Sequence, residues 1–521
     1  DNSGWGTSIA LTESKEVYGW GYSGYGQLGK IETFKSPIKV SNINTAVGAA
    51  LGGTDNTYFT YILKEDGTIA SLGYNNYGQL GNGTTSSSSA AQDVKNVTDI
   101  VQVSGSQNGY FGAFVKKDGT VWTVGYNGNG QLGDGSAINK SKPVQVGGGS
   151  SNAMKLRNGA VLENDGVTVA KDNNGKDLIY NKKDELLTNL YIEEDQKFRI
   201  DSDIQVEKSF SLLKANAKVN PKDLTYTVFD ERFATVEKDS NGNGIVIPKS
   251  GIYGVAIILV KDSNSGYGSI LRLGIRPKNS VAMPMVSAGS AHVVALKANG
   301  TVWTWGYNGN GELGDGKNRN TNIPVQVLTG AQDSNSGYLE NIIQVAAGAY
   351  HNLALAKDGT VWSWGYNYHG QLGNRTTANS SLPVKVIGVS DVVSIAAGYY
   401  NSFAVRKDGT VWSWGYNNYG QLGLGDSTSR TTAQQVLGGA SGSQYLTDIV
   451  EVKAATMHTL ALKANGTVYA WGYNYCGQLG SNGGNSYTPV QVVTGEQKSA
   501  SEYIKKVVDI DVSSGTNSGW G

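Results

Sequence analysis

Gly73-Tyr74-Asn75-Asn76-Tyr77-Gly78-Gln79-Leu80-Gly81 is one of seven copies of the same nine-residue string in a chain of 521 residues. The other copies begin at Gly21, Gly125, Gly306, Gly365, Gly415 and Gly472. A period of roughly 50 to 60 residues, carrying strand-like pieces between glycine-rich turns, marks a repeat architecture, and among β-rich repeats it points to a propeller.

The copy around Gly365 lays out the unit. Ile342 to Ala347 reads as a first strand, Gly348-Ala349-Tyr350 as a turn, and His351 to Ala356 as a second strand. Lys357-Asp358-Gly359 is a tight hairpin signal. Thr360 to Trp364 is a third strand with both tryptophans on one face, and Pro383 to Val386 a fourth. Small residues alternate with Trp, Leu and Val because each sheet is covered on both faces, which makes the tryptophans core. Seven Gly-x-Leu-Gly endings, at Leu28, Leu80, Leu132, Leu313, Leu372, Leu422 and Leu479, give seven units. Tyr503 to Gly515 supplies a first strand without a successor, and Thr7 to Val40 supplies strands two to four without a predecessor. The predicted fold is all-β: a seven-bladed propeller of four-stranded antiparallel blades, closed by a blade shared between the N- and C-terminal segments. Asn2-Ser3-Gly4-Trp5-Gly6 recurs as Asn517-Ser518-Gly519-Trp520-Gly521, which reads either as overlap inside the closing blade or as the seam of a longer tandem array.

Between Val146 and Val286 the period breaks and charged residues concentrate, as at a domain boundary. Leu224 to Val228 and Val255 to Val260 read as strands, and Lys183 to Leu190 as a short helix. The expected division is propeller over 1–147, an inserted β-sandwich domain over 148–281, and propeller again over 282–521. In a meander the hairpin turns share one rim with the blade-to-blade connections, so the insert and the long loops belong on that rim. The Gly-Tyr-Asn loops belong on the other.

The full pattern, carried by Ala354 to Gly373, is Ala-Leu-x-x-Asp-Gly-Thr-Val-Trp-x-Trp-Gly-Tyr-Asn-x-x-Gly-Gln-Leu-Gly. It resembles the regulator of chromosome condensation (RCC1-type) repeat family over about three quarters of the chain, which implies an RCC1-like propeller. That family includes a nucleotide exchange factor for a nuclear GTPase, a plant ultraviolet photoreceptor and a bacterial β-lactamase inhibitor, which share binding through propeller rims. The photoreceptor's Gly-Trp-Arg-His-Thr element has no counterpart here. Phe233 to Val260 resembles the bacterial immunoglobulin-like domains of cell-surface proteins.

Composition narrows function by exclusion. With 43 basic and 43 acidic residues the net charge is zero, without the basic surplus that nucleic-acid binding calls for. No apolar run is long enough to span a membrane, and the first residues lack the pattern of a signal peptide, as expected of a cytosolic chain or of a mature or excised piece. One cysteine, Cys476, excludes an internal disulfide. His292, His351 and His458 stand at one position of three separate blades and do not converge on an ion, so each ring is expected to bond a neighbouring backbone group. Asp239 to Gly244 starts like a calcium loop, but its twelfth position is Ser250, so it reads as a polar turn. No catalytic residue, metal site or cofactor is expected. The criterion that would reverse this is a pair of acids with shifted protonation in a central pocket.

One loop position varies while its frame does not. Directly before each Gly-(Gln/Glu)-Leu-Gly stand Tyr25, Tyr77, Asn129, Asn310, His369, Tyr419 and Cys476, the candidate ligand-binding rim. The plainer alternative is that they fill space between loops. Tyr22, Tyr74, Tyr126, Tyr307, Tyr366, Tyr416 and Tyr473 recur in all seven and read as structural. The function expected is a non-enzymatic extracellular or bacterial cell-surface module, structural or adhesive, binding a protein or glycan through rim loops. Self-association with a tandem neighbour is a further form of it. The alternatives are an intracellular GTPase regulator or inhibitor-like propeller with a protein partner, and a glycan-active or glycan-binding propeller.

Overall fold

The computed structural model describes residues 5–54, 56–147, 154–156, 168–171, 177–180, 190–200, 220–264, 268–332, 337–439, 443–481, 483–495 and 503–514. The helix expected from Lys183 to Leu190, whose last residue begins the strand Leu190–Glu193, and the repeated pentapeptides, Trp5 and Gly6 apart, otherwise lie outside these residues.

The unit around Gly365 forms as its sequence dictates. Ile342–Ala347, His351–Ala356, Val361–Gly365 and Ser380–Lys385 pair antiparallel in chain order, the last strand starting three residues earlier than expected. The hairpin between the second and third strands closes on Gly359 at φ 82°. There the Asp358 carboxylate accepts from the Thr360 N–H at 2.9 Å. Both middle strands are buried along their whole length. Six sheets of this kind start with Ala46–Thr54, Ile100–Gly105, Met285–Ala288, Ile342–Ala347, Val392–Ala397 and Ile449–Ala454, and are called blades II to VII. Blade I comprises Gly6–Thr12, Val17–Tyr22 and Thr33–Lys39, and its first strand is Val507–Ser514, paired antiparallel with Gly6–Thr12 from Gly6↔Ser514 to Thr12↔Val507.

The first strands of successive blades lie side by side in cyclic order, II to VII and on to Val507–Ser514, which in turn meets blade II. Side chains bridge them, beside single backbone bonds at their ends such as that from the Gly53 N–H to Ser106 O at 3.3 Å. Gln344 accepts from the Ile395 N–H at 3.0 Å, and the Asp511 carboxylate from the Leu51 N–H at 2.7 Å. Further out, five tryptophans with no exposed surface, Trp20, Trp305, Trp364, Trp414 and Trp471, pack between sheets. Each removes roughly 150 to 250 Å² from water, several kcal/mol apiece at about 25 cal/mol per Å².

Two further sheets arise between blades III and IV. One has the order Thr168–Lys171, Asp177–Tyr180, Lys197–Ile200, Gly244–Pro248, Ala234–Lys238; the other Leu190–Glu193, Gly268–Arg276, Gly254–Asp262, Leu224–Val228. They close over a shared core that includes Phe198, Val246, Ile258 and Leu273. Gly254–Asp262 is apolar on both faces for a reason: Ala256, Ile258 and Val260 turn into this core. Ile257 and Leu259 turn outward, with Phe229 and Ile270, onto Ile9, Leu11, Leu51 and Val508 of the propeller. Among the described residues no helix is long and apolar enough to cross a membrane.

Candidate functional site: the rim of Gly-Tyr loops

Each loop is built from the inside. In blade V, the Gly370 N–H donates to Asn367 O at 2.8 Å and the Gly373 N–H to Gly370 O at 2.9 Å, two tight turns in succession. At Gly373, φ is 65° and a Cβ would stand 2.8 Å from Trp414 Nε1 of blade VI, so backbone and neighbour both require glycine. Asn367, with no exposed surface, is the loop's keystone. Its Oδ1 accepts from the Leu372 N–H at 2.8 Å, and its Nδ2 donates to Thr376 O and Ala378 O at 3.0 Å each. Asn75, Asn127, Asn308, Asn417 and Asn474 repeat the leucine contact, and Ser23 Oγ replaces them in blade I.

The glutamine works across the seam. Gln371 Oε1 accepts from the His369 N–H at 3.0 Å, while its backbone carbonyl accepts from Trp414 Nε1 at 2.8 Å and Ser402 Oγ at 2.9 Å, both in the next blade. The histidines join this latch. His351 Nε2 lies 2.8 Å from Ser402 Oγ, His458 Nε2 3.0 Å from Ser8 Oγ, and His292 Nε2 2.9 Å from Asn352 Oδ1. The serine protons go to Gln371 O and Gln478 O, so the imidazoles donate through Nε2–H. The expected backbone partner is thus corrected to a side chain of the following blade, because second-strand backbone groups are already spent in the sheet ladder. Burial pushes the pKa values down, to about 4 for His292 and about 3 for His351 and His458.

Six of the seven variable positions contact the following blade. Ring centroids are 4.9 Å apart for Tyr25 and Tyr74, 5.1 Å for Tyr77 and Tyr126, 4.7 Å for His369 and Tyr416, and 5.1 Å for Tyr419 and Tyr473. Asn129 Oδ1 accepts from Asn320 Nδ2, and Asn310 Oδ1 from Asn379 Nδ2, at 3.3 Å each. Six of the seven are half-buried; Cys476 is buried, and burial pushes its thiol up to about 11. The residue one place earlier is the outward one. Tyr368 and Tyr475 are each 69% exposed, with Asn76 and Asn418 exposed at the same position. In blades I, III and IV that place holds Gly24, Gly128 and Gly309, and the loop tyrosine's hydroxyl lies where a Cβ would project. Sequence reasoning missed this position, although Gly, Asn and Tyr alternating at one place was the available signal.

The opposite mouth of the propeller is occupied. Arg272, from Gly268–Arg276, reaches Glu451 Oε2 at 3.2 Å and Asp509 Oδ1 at 3.7 Å, and donates to Val508 O at 3.0 Å. Arg232, held by Asp230 at 2.7 Å, donates to Ile100 O at 3.0 Å, and Lys261 pairs with Glu13 at 2.8 Å. Between the insert and the first strands lies a cavity of about 340 Å³, whose lining includes Val101, Tyr253, Gln344, Glu451 and Asp509. The Glu451 and Asp509 carboxyls share the Arg272 guanidinium. Burial, with Glu451 adding to it, holds Asp509 well above the usual carboxylate range; burial opposes ionisation of Glu451 too, yet Arg272 and Lys453 keep it low. The criterion for an enzyme is therefore met in pairing and protonation, but both acids are engaged by one guanidinium. A glycosidase pair stands about 5 to 10 Å apart around its substrate. Asp239, in the calcium-like turn, accepts from the Asn241 and Asn243 N–H groups at 2.9 and 2.8 Å, a polar turn already filled.

The chain matches the RCC1-like domain family over residues 272–520, just under half of its length. RCC1 repeat models match residues 118–157 and 2–27. Among relatives, a stretch of 114 residues is 38% identical to the RCC1 domain-containing protein RUG3, mitochondrial, of Arabidopsis thaliana, covering 22% of this chain and 24% of that one. The chain thus spans about a quarter of that relative's length. Human WBSCR16 superposes with a TM-score of 0.55 at 17% identity, over 94% of each chain. Yeast RCC1 (Prp20), in a structure with Kap60, gives 0.55 at 15% identity over 99% of this chain and 90% of that one. Likeness at such identity speaks to the fold.

Proposed function

We propose that this chain is a non-enzymatic binding module of an extracellular or bacterial cell surface, built as a seven-bladed ring closed between its end segments. In this reading 1–147 and 282–521 are propeller, and 148–281 is an immunoglobulin-like insert. The ligand meets the rim of Gly-Tyr loops. The observation that carries this is the inequality of the two rims: one is covered by the insert, the other presents tyrosine and asparagine on loops whose frame is locked from within. Tyr25, Tyr77, Asn129, Asn310, His369, Tyr419 and Cys476 set the spacing of that rim, and the residues before them make first contact. The test is retention of labelled protein on cell envelopes from its source. Wild type is retained, and Tyr368→Ala/Tyr475→Ala binds about tenfold or more weakly with an unchanged melting temperature. Equal retention of both would overturn the rim as the binding face. The family matches support a second reading, an intracellular regulator with a protein partner. Antibody labelling of intact, non-permeabilised source cells separates the two.

A further inference from the structure

Charge is missing from the seven Gly-Tyr strings of the open rim, although the same connections carry exposed Lys30, Glu32, Lys317, Arg319 and Arg375 beyond the closing glycine. From the first glycine to the closing glycine of all seven loops, the sequence carries a single carboxylate, Glu312, and no Lys, Arg or Asp. Glu312 has no exposed surface and binds its own loop, through the Asn310 N–H at 2.8 Å and Asn310 Nδ2 at 2.7 Å. What faces outward is aromatic ring and amide. The Tyr475 ring is stacked on Tyr473, centroids 6.3 Å apart at 20°, and Tyr368 stands edge-on to His369 at 5.2 Å and 88°. Each exposed ring is therefore braced by a half-buried neighbour. Asn418 lies at the matching place of blade VI, between the tyrosines of blades V and VII. Behind them Tyr350, Tyr366, His369, Tyr400 and Tyr416 form a continuous second row, with centroids between 4.7 and 6.4 Å apart.

The strings that present Tyr368 and Tyr475 offer a phosphate or carboxylate no counter-charge of their own. They suit a ligand whose rings carry C–H on their faces and hydroxyls on their edges. The aromatic quadrupole is negative over the ring and attracts polarised C–H groups, while asparagine amides and tyrosine hydroxyls donate to and accept from sugar hydroxyls. Bracing matters because an already ordered ring loses little side-chain freedom on stacking. The repeat then places like positions at regular intervals around the rim, so a polymer of one recurring unit can engage several at once. We infer that the open rim binds a neutral polysaccharide, stacked on Tyr368 and Tyr475 and hydrogen-bonded by the intervening asparagine. This rests on the rim being the binding face, and it names the ligand that face takes.

The experiment is native affinity electrophoresis of the whole chain through gels containing neutral polysaccharides (a β-glucan, an α-mannan and a galactan), an anionic polysaccharide, or a polyproline peptide conjugate. At least one neutral polymer is expected to retard wild type, with less than about a twofold change in affinity between low and high salt, since no counterions are released. Tyr368→Ala/Tyr475→Ala should weaken that retardation about tenfold, and Tyr368→Phe/Tyr475→Phe, which keeps the rings, should retain most of it. Retardation only by the anionic polymer or only by polyproline, or by none, would overturn the glycan assignment. If the alanine pair still loses envelope binding in that event, the rim remains the binding face for another class of ligand. If it binds envelopes like wild type, the rim itself fails.

Discussion

At Glu312 a single atom separates one loop from the other six, which carry glutamine there. The substitution removes an amide donor and places a titratable group where there is no exposed surface. Burial pushes its pKa up to about 7, against 4.5 ordinarily, with the Asn310 contacts pulling the other way. Below about pH 4 both folded and unfolded chains hold the proton, and the acid costs nothing. As pH rises through the interval the unfolded chain ionises first; above about pH 7 the fold carries the full cost of a buried charge, on the order of 3 kcal/mol. Glu312→Gln is therefore expected to raise stability by about 2 to 3 kcal/mol near pH 8 and by little near pH 4. Denaturant midpoints at the two pH values measure this, and an equal gain at both would mean the carboxylate is not the source.

The blade is the element on which the sequence speaks most clearly. Period-two patterning, the Asp-Gly hairpin and the constant glycines suffice for the four strands around Gly365, because each is a local constraint within about 45 residues. What holds blade to blade is not local. His458 meets Ser8 and Trp20 meets Gln478 across more than 400 positions. No period reveals which polar atom fills such a seam, so the histidines' partners were illegible. So was the covering of Tyr25 by Tyr74, which leaves the neighbouring position as the exposed one. The seams also answer to pH. An unfolded histidine takes a proton near 6.5 and the folded rings refuse it until about 4 or 3, so stability falls as pH drops through that window. In blade VI the same position is Asn401, whose Nδ2 donates to Ala455 O at 3.1 Å, so asparagine fits the fold. Replacing His292, His351 and His458 by asparagine is expected to flatten the stability profile below about pH 6.5. Urea unfolding at stepped pH reads it, and an unchanged slope would place the acid sensitivity elsewhere.

Over the whole molecule, Val507–Ser514 meets the sheets between blades III and IV through Arg272 and through the apolar contacts of Val508. Arg272 leaves the insert and binds Glu451 of blade VII together with Asp509 and Val508 O of Val507–Ser514, the strand that completes blade I. A guanidinium shared between Gly268–Arg276, Ile449–Ala454 and Val507–Ser514 ties the seating of the last strand to that of the sheet Arg272 comes from. Removing one partner of such a buried group leaves the remaining charge uncompensated, typically 3 to 5 kcal/mol. Apolar contact acts beside it, since Phe229, Ile257, Leu259 and Ile270 are buried against the propeller. Arg272→Met keeps the side-chain bulk and removes only the charge and donors, so it separates the two contributions. The expected result is faster amide hydrogen exchange in Val507–Ser514 and Ile449–Ala454, with blade V unchanged, and unfolding that splits into two transitions. Adding Glu451→Gln to Arg272→Met should then cost less than Glu451→Gln alone, because only the Lys453 ion pair is left for it to remove. Unchanged exchange in both strands would mean that the apolar face alone seats that sheet, and that the seating of the last strand is independent of Arg272.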